Sequence, residues 1–268
     1  MKRRVWLTLG VLAALAAVFF GIRTLDTALP PETPRTVTLG QTPATEPPAP
    51  VSRTAEDKTD AEAGAVETEP EPYVSPIDFP ALREVNPDIF AWLRIPDTEI
   101  DYPLVQDPEN DRFYMDHDSD RRPSGGGALF TEASWNGPDL EDPVTVVYGH
   151  HMLSGVMFGR LERYYTDADF FTSHPTFTVY WPEGEAEYGV FAATPYSSEH
   201  LLKTHNFSDV KEFERFFASV FSIRDLSARF NRDYAPGSGD RVLILSTCLT
   251  RNNSQRFLVM ATRLSNES

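Results

Sequence analysis

Arg241-Val-Leu-Ile-Leu-Ser-Thr-Cys248, followed after a short polar segment by Gln255-Arg-Phe-Leu-Val-Met-Ala261, is the stretch that decides the fold. The branched apolar run reads as a buried strand, Thr250 to Gln255 as its turn, and Phe257 to Ala261 as the next strand. Cys248 then stands at a strand end, with Arg256 at the start of the neighbour. It is the only cysteine in the chain, so it has no intramolecular disulfide partner. A lone cysteine in such a place is most often a small buried hydrophobe. A second run, Val146-Val-Tyr-Gly-His150, changes that weighing, because it carries an apolar strand into the imidazole that a thiol nucleophile needs.

Outward from these two runs the same punctuation repeats. Phe90 to Ile95, Tyr102 to Val105, Ala128 to Phe130, Val144 to Tyr148, Phe177 to Trp181, Tyr188 to Pro195, Val242 to Leu245 and Phe257 to Thr262 are short apolar runs divided by turn residues. Runs this short favour a mainly β fold closed as a barrel over alternating strand and helix units. Two helices are expected beside it. Ile77 to Asn86 carries Phe79, Leu82 and Val85 at helical spacing. Ser208 reads as the N-cap of a longer helix, with Asp209 on its dipole and Val210, Phe213, Phe217, Val220 and Phe221 as one apolar stripe.

Leu245-Ser-Thr-Cys248 with Arg256, and Tyr148-Gly-His150 upstream, resemble the signature of sortases, the cysteine transpeptidases of Gram-positive cell surfaces. Asn86-Pro-Asp-Ile-Phe-Ala-Trp-Leu-Arg-Ile-Pro96, Ile100-Asp-Tyr-Pro-Leu-Val-Gln106, Tyr114-Met-Asp-His-Asp118 and Gly127-Ala-Leu-Phe130 look like successive blocks of the class B branch, so the likeness spans about residues 77 to 264. It implies an eight-stranded sortase barrel with an N-terminal helix and a long helix before the cysteine-bearing strand, the latter walling the substrate groove. It implies Cys248 as nucleophile, His150 as the proton-transfer group and Arg256 as the donor fork for the substrate backbone carbonyl or the tetrahedral oxyanion. His150 is chosen over the adjacent His151 because the family's imidazole follows the Gly directly. Tyr148, Ser246 and Thr247 are candidates for the groove. Asn110 lies in a block like the family's substrate loop, although its spacing to His117 is one residue longer than the pattern. The implied partners are surface proteins with a C-terminal sorting signal and an acceptor amine from a peptidoglycan precursor or a pilin lysine.

The chemistry demands such company. A thiol of ordinary pKa about 8.5 is only a few per cent thiolate at neutral pH and needs a neighbouring base or positive charge. Arg256 keeps its proton at any working pH, so its use is as a fork of donors. Taken alone it reads as a surface ion pair.

The N-terminus sets the location. Lys2-Arg3-Arg4 precede Val5 to Ile22, eighteen residues without a charge. That is just long enough to cross about 30 Å of hydrocarbon and longer than the apolar core of a signal peptide. Residues 1–22 thus read as a basic tip and single-pass anchor, with the N-terminus cytoplasmic and the catalytic body extracellular at the cell membrane. Residues 23–75 hold nine prolines between Pro30 and Pro72 and no aromatic residue before Tyr73, the composition of a disordered stalk. Residues 76–268 form the catalytic domain. A net charge of −16 gives no support to nucleic-acid binding, which wants a basic face.

Other signals fade on inspection. Asp116 to Asp120 imitates an EF-hand start, but Arg121 stands where Gly belongs and Gly127 where Glu belongs. Gly125-Gly-Gly127 lacks the lysine and helix of a phosphate loop and reads as a flexible turn. The histidines have no ligand spacing with the single cysteine, so neither metal nor cofactor is expected. Two further readings use the same residues: a hydrolytic cysteine peptidase with water as acceptor, and a non-enzymic envelope-binding module. Papain-type surroundings are missing at Cys248, and the joint presence of Cys248, His150 and Arg256 argues against the binding module.

Overall fold

In the computed structural model, residues 73–249 and 252–265 are described. The proposed anchor and all but the last three residues of the proposed stalk lie outside them. Those three differ from a free linker: the Tyr73 hydroxyl donates to Glu185 at 3.0 Å, and Ser75 Oγ accepts from Ile77 N. Among the described residues no helix is long and apolar enough to cross a membrane.

The elements in order are α1 (Phe79–Val85), β1 (Ile89–Arg94), β2 (Asp101–Val105), β3 (Leu129–Phe130), β4 (Val144–Tyr148), α2 (Arg163–Thr166), α3 (Ala168–Ser173), β5 (Thr176–Trp181), β6 (Gly184–Ser197), α4 (Leu201–Thr204), α5 (Val210–Val220), β7 (Arg229–Phe230), β8 (Val242–Leu249) and β9 (Asn252–Arg263). Neighbouring strands run β5-β1-β2-β3-β4-β8-β9-β6, and β6 returns to β5, closing a ring of eight strands. β7 is a short addition on the side of β6. All eight apolar runs read from the sequence are barrel strands. The pairs β2/β3 and β4/β8 are parallel, and the rest are antiparallel.

Period-2 alternation divides each strand between two environments. Leu93, Leu104, Val147, Val179, Leu243, Leu245, Phe257 and Val259 fill the barrel. On the outer face Val144, Val146, Val242, Ile244, Leu258 and Met260 pack under Phe213, Phe216, Phe217 and Val220 of α5. An isolated helix of 11 residues is marginal in water. Burying each of these phenylalanines, at about 1.5–3 kcal/mol apiece, is what holds it.

Local details differ from the sequence reading. The α5 N-cap is Asp209, not Ser208: its Oδ1 accepts from Lys211 N at 2.8 Å and Glu212 N at 3.1 Å, as a short carboxylate with two oxygens can. Phe216 joins the buried stripe, whereas Val210 is 54% exposed at the helix start. α1 is capped by Asp78, and Val85 faces outward. The expected turn over Thr250 to Gln255 is largely strand: β9 starts at Asn252, and Gln255 pairs with Ser197. Backbone pairing extends the ribbon past the core there, so apolar side chains are not needed to mark it.

Candidate active site

Along β8 the odd residues enter the barrel and the even ones face out, which brings Ser246 and Cys248 to the outer surface. Cys248 pairs directly with Arg256 on β9, and directly opposed residues share a face. Arg256 Nη1 donates to Cys248 Sγ at 3.5 Å. On the other side β4 runs parallel to β8 with Tyr148 opposite Ser246, and Gly149 N donates to Ser246 O at 3.1 Å. His150 therefore leaves β4 beside the end of β8 that carries Cys248. All three side chains line one cleft of about 450 Å³.

The glycine between Tyr148 and His150 is required by packing. A Cβ at Gly149 would come within 2.5 Å of Leu129 Cδ2 and 2.6 Å of Phe158 Cδ2. His150 Nε2 lies 2.7 Å from the Met115 carbonyl. A carbonyl only accepts, so Nε2 carries the proton and Nδ1 is the basic nitrogen. Gly127 is a fixed element here: its φ is 58°, and a Cβ would sit 2.6 Å from Tyr114 O and 3.1 Å from His150 Cδ2. His151 points elsewhere. It bridges Met157, and its side chain, 9% exposed, lies 3.8 Å from Glu162 outside the cleft.

Tyr148 and Ser246 line the cleft as their parity predicts. Burial, with Glu132 adding to it, pushes the Tyr148 phenol well above its ordinary value, so it remains a donor. Thr247 contributes to the lining too, but its hydroxyl is buried without a hydrogen-bond partner among the described residues. Being odd-numbered on β8, it turns its side chain toward the barrel, so only its backbone is suited to substrate. Asn110 is not in the cleft: its Oδ1 accepts from Arg112 N at 3.1 Å and shapes the loop, while Arg112 reaches the lining instead.

The expected wall is also corrected. No α5 residue lines the cleft; the wall comes from Tyr196 to Leu201, the end of β6 and the start of α4, facing Arg112 and Met115. Sequence reading missed Glu132, Met115 and His200. Glu132 had a signal, since it continues the outward parity of Phe130 by two residues. His200 Nε2 lies 2.7 Å from Glu132 Oε2, while its Nδ1 accepts from Lys203 N at 3.1 Å to cap α4. Accepting at Nδ1 and donating at Nε2, His200 is a strut that braces the Glu132 carboxyl at the rim of the cleft.

Among the described residues no group of three His, Cys, Asp or Glu side chains is placed to hold a metal ion. In the EF-hand-like stretch, Asp118 Oδ1 is taken by Asp120 N and Arg122 N.

Comparison with protein families matches residues 93–264 to the Sortase domain. Sortase B of Listeria monocytogenes is 31% identical over 175 residues, covering 65% of this chain and 68% of that protein. Sortase B from Bacillus anthracis superposes with a TM-score of 0.61 at 26% identity, over 70% of this chain and 84% of that one. A Streptococcus pyogenes class B sortase involved in pilus biogenesis gives 0.60 at 26%, over 70% and 98%.

Proposed function

This chain belongs to the sortase family and is a transpeptidase of the class B kind, and we propose that it cleaves a sorting signal after Thr, holds the protein as a thioester on Cys248 and passes it to an amine of a peptidoglycan precursor. The observation that carries the reading is the convergence of Cys248, Arg256 and His150 in one cleft, with Arg256 Nη1 at 3.5 Å from the sulfur.

The steps follow from the donors. His150 Nδ1 takes the thiol proton as sulfur attacks the Thr carbonyl, forming a C–S bond and an oxyanion. The Arg256 fork, always protonated, offers its hydrogens to that oxygen. Collapse breaks the C–N bond, and His150 returns the proton to the departing amine. The acceptor amine then attacks the thioester, loses its proton to His150, and the sulfur leaves. Water as acceptor gives hydrolysis through the same groups.

Joining of pilins is the second reading, favoured by the likeness to the Streptococcus pyogenes sortase involved in pilus biogenesis. The full chain is incubated with a library of Thr-containing sorting peptides spanning Leu-Pro-x-Thr and Asn-Pro-x-Thr forms, with a cross-bridge amine and a pilin lysine peptide in competition. Mass spectrometry is expected to find the cross-bridge adduct; adducts on the lysine peptide alone replace wall anchoring by pilin joining, and free acid alone replaces both by hydrolysis.

The anchor is part of the proposal. Val5 to Ile22, eighteen residues without a charge, is proposed as the segment that anchors the chain in the cell membrane. The full chain is expected in the membrane fraction with its catalytic domain open to external protease. Recovery of a soluble form starting near residue 16 to 20 makes the segment a cleaved signal.

A further inference from the structure

The connection between β2 and β3 is long, and its one regular piece among residues 106–128 is the 3-10 turn Phe113–Met115. It nevertheless supplies the carbonyl that sets the His150 tautomer. What fixes it is Arg121. This residue has φ 63°, a left-handed conformation uncommon for a side chain with a Cβ. Its Nη1 pairs with the Asp88 carboxylate and its Nη2 donates to Asp107 Oδ2 at 2.9 Å. Its guanidinium lies 4.3 Å from the centre of the Phe113 ring.

The two carboxylates leave little room for solvent, with side-chain exposures of 10% for Asp88 and 7% for Asp107. Asp88 also accepts from the Tyr114 hydroxyl at 2.6 Å, and that hydroxyl accepts from the fully buried Asn86 at 2.8 Å. Burial pushes the Tyr114 phenol up to about 12, which keeps it the donor in that bond. Asp107 Oδ1 accepts from Glu109 N at 2.9 Å and Asn110 N at 2.8 Å. Three consecutive residues thus have three duties: Phe113 lies under the guanidinium, Tyr114 shares Asp88 with it, and Met115 presents its carbonyl to His150.

We infer that Arg121 is a positioning residue for proton transfer, acting through the Phe113–Met115 turn to hold His150 in the Nε2–H tautomer with Nδ1 free of its proton. The inference rests on the reading of His150 as the proton-transfer group. Removing the fork leaves two nearly buried carboxylates without their common cation. The turn then loses the stack and the shared anchor together. The sorting signal does not touch Arg121 in this account, so binding is little changed while chemistry slows.

The test uses the full chain with Arg121→Gln and Arg121→Lys, and with Arg94→Gln as a control that breaks the Arg94–Asp101 pair outside the cleft. Steady-state transpeptidation, thermal melting and ¹⁵N spectra of the His150 ring are recorded across pH. Arg121→Gln is expected to lower kcat by about 10- to 100-fold with KM within about twofold, to shift the acid limb of the kcat/KM profile, and to mix the His150 tautomers. Arg121→Lys, which keeps charge but not the fork, falls between, and Arg94→Gln behaves as wild type. Lowered melting with unchanged kcat and an unchanged His150 spectrum overturns the inference and leaves Arg121 a fastening only. Tautomer mixing without loss of kcat instead overturns the role of His150 and spares that of Arg121. Should Arg121→Gln fail to fold, Asp107→Asn, which removes one arm of the fork, is judged by the same readouts.

Discussion

Cys248→Ala is expected to lower both cleavage and transfer by more than about 10⁴-fold while the barrel stays folded. Cys248 is half-buried at the cleft, and its side chain belongs to none of the apolar clusters that fill the barrel or its outer faces. Loss of the sulfur thus removes a nucleophile and little packing. Initial rates on a sorting peptide, mass spectrometry of the thioester and the melting curve are measured together. No thioester should form, and melting should stay near that of the wild type. A Cys248→Ala chain that turns over near the wild-type rate removes the nucleophile assignment, whatever the role of Arg256.

His150→Ala is expected to cost nearly as much, at least about 10³-fold in kcat, because the thiol then lacks its proton acceptor and the leaving amine its donor. Arg256 cannot stand in, since its guanidinium does not exchange a proton at working pH. The two losses should not add. Cys248→Ala combined with His150→Ala is expected to be no slower than the worse single variant, as holds for groups that act as one unit. His151→Ala, altering an imidazole outside the cleft, separates the two neighbours: a larger loss there than at position 150 reverses the assignment. The ring-absent variant does not separate the acceptor readings: amine and water routes pass through the same proton transfer and should fall in parallel.

Which parts of this site were legible in the sequence follows from the range of the physics. Alternation of apolar and polar residues is a property of a strand and its two faces, so the strands that carry Tyr148, Cys248 and Arg256 were legible, whereas their common surface rests on the pairing of Tyr148 with Ser246 and of Cys248 with Arg256. The same parity argues Thr247 away from it, once Leu243 and Leu245 are known to fill the barrel. Helix ends were less legible: Ser208 and Asp209 are both good caps, and only the bonds from Lys211 N and Glu212 N decide between them.

The sequence by itself determined the eight strands, the two flanking helices, the thiol with its imidazole and guanidinium, and a family likeness carried by those residues. Each depends on local periodicity or on short spacing. The tertiary structure alone decided what stands across the cleft. The wall is the segment from Tyr196 to Leu201 in place of α5, because α5 is drawn onto the outer barrel face by Phe213, Phe216, Phe217 and Val220. The tautomer of His150 is set by the Met115 carbonyl 35 residues away, on a turn stacked under Arg121. Backbone carbonyls carry no side-chain signature, and partners this distant in the chain meet only when β3 joins β2 and β8 joins β4 in parallel within the ring that β5 and β6 close.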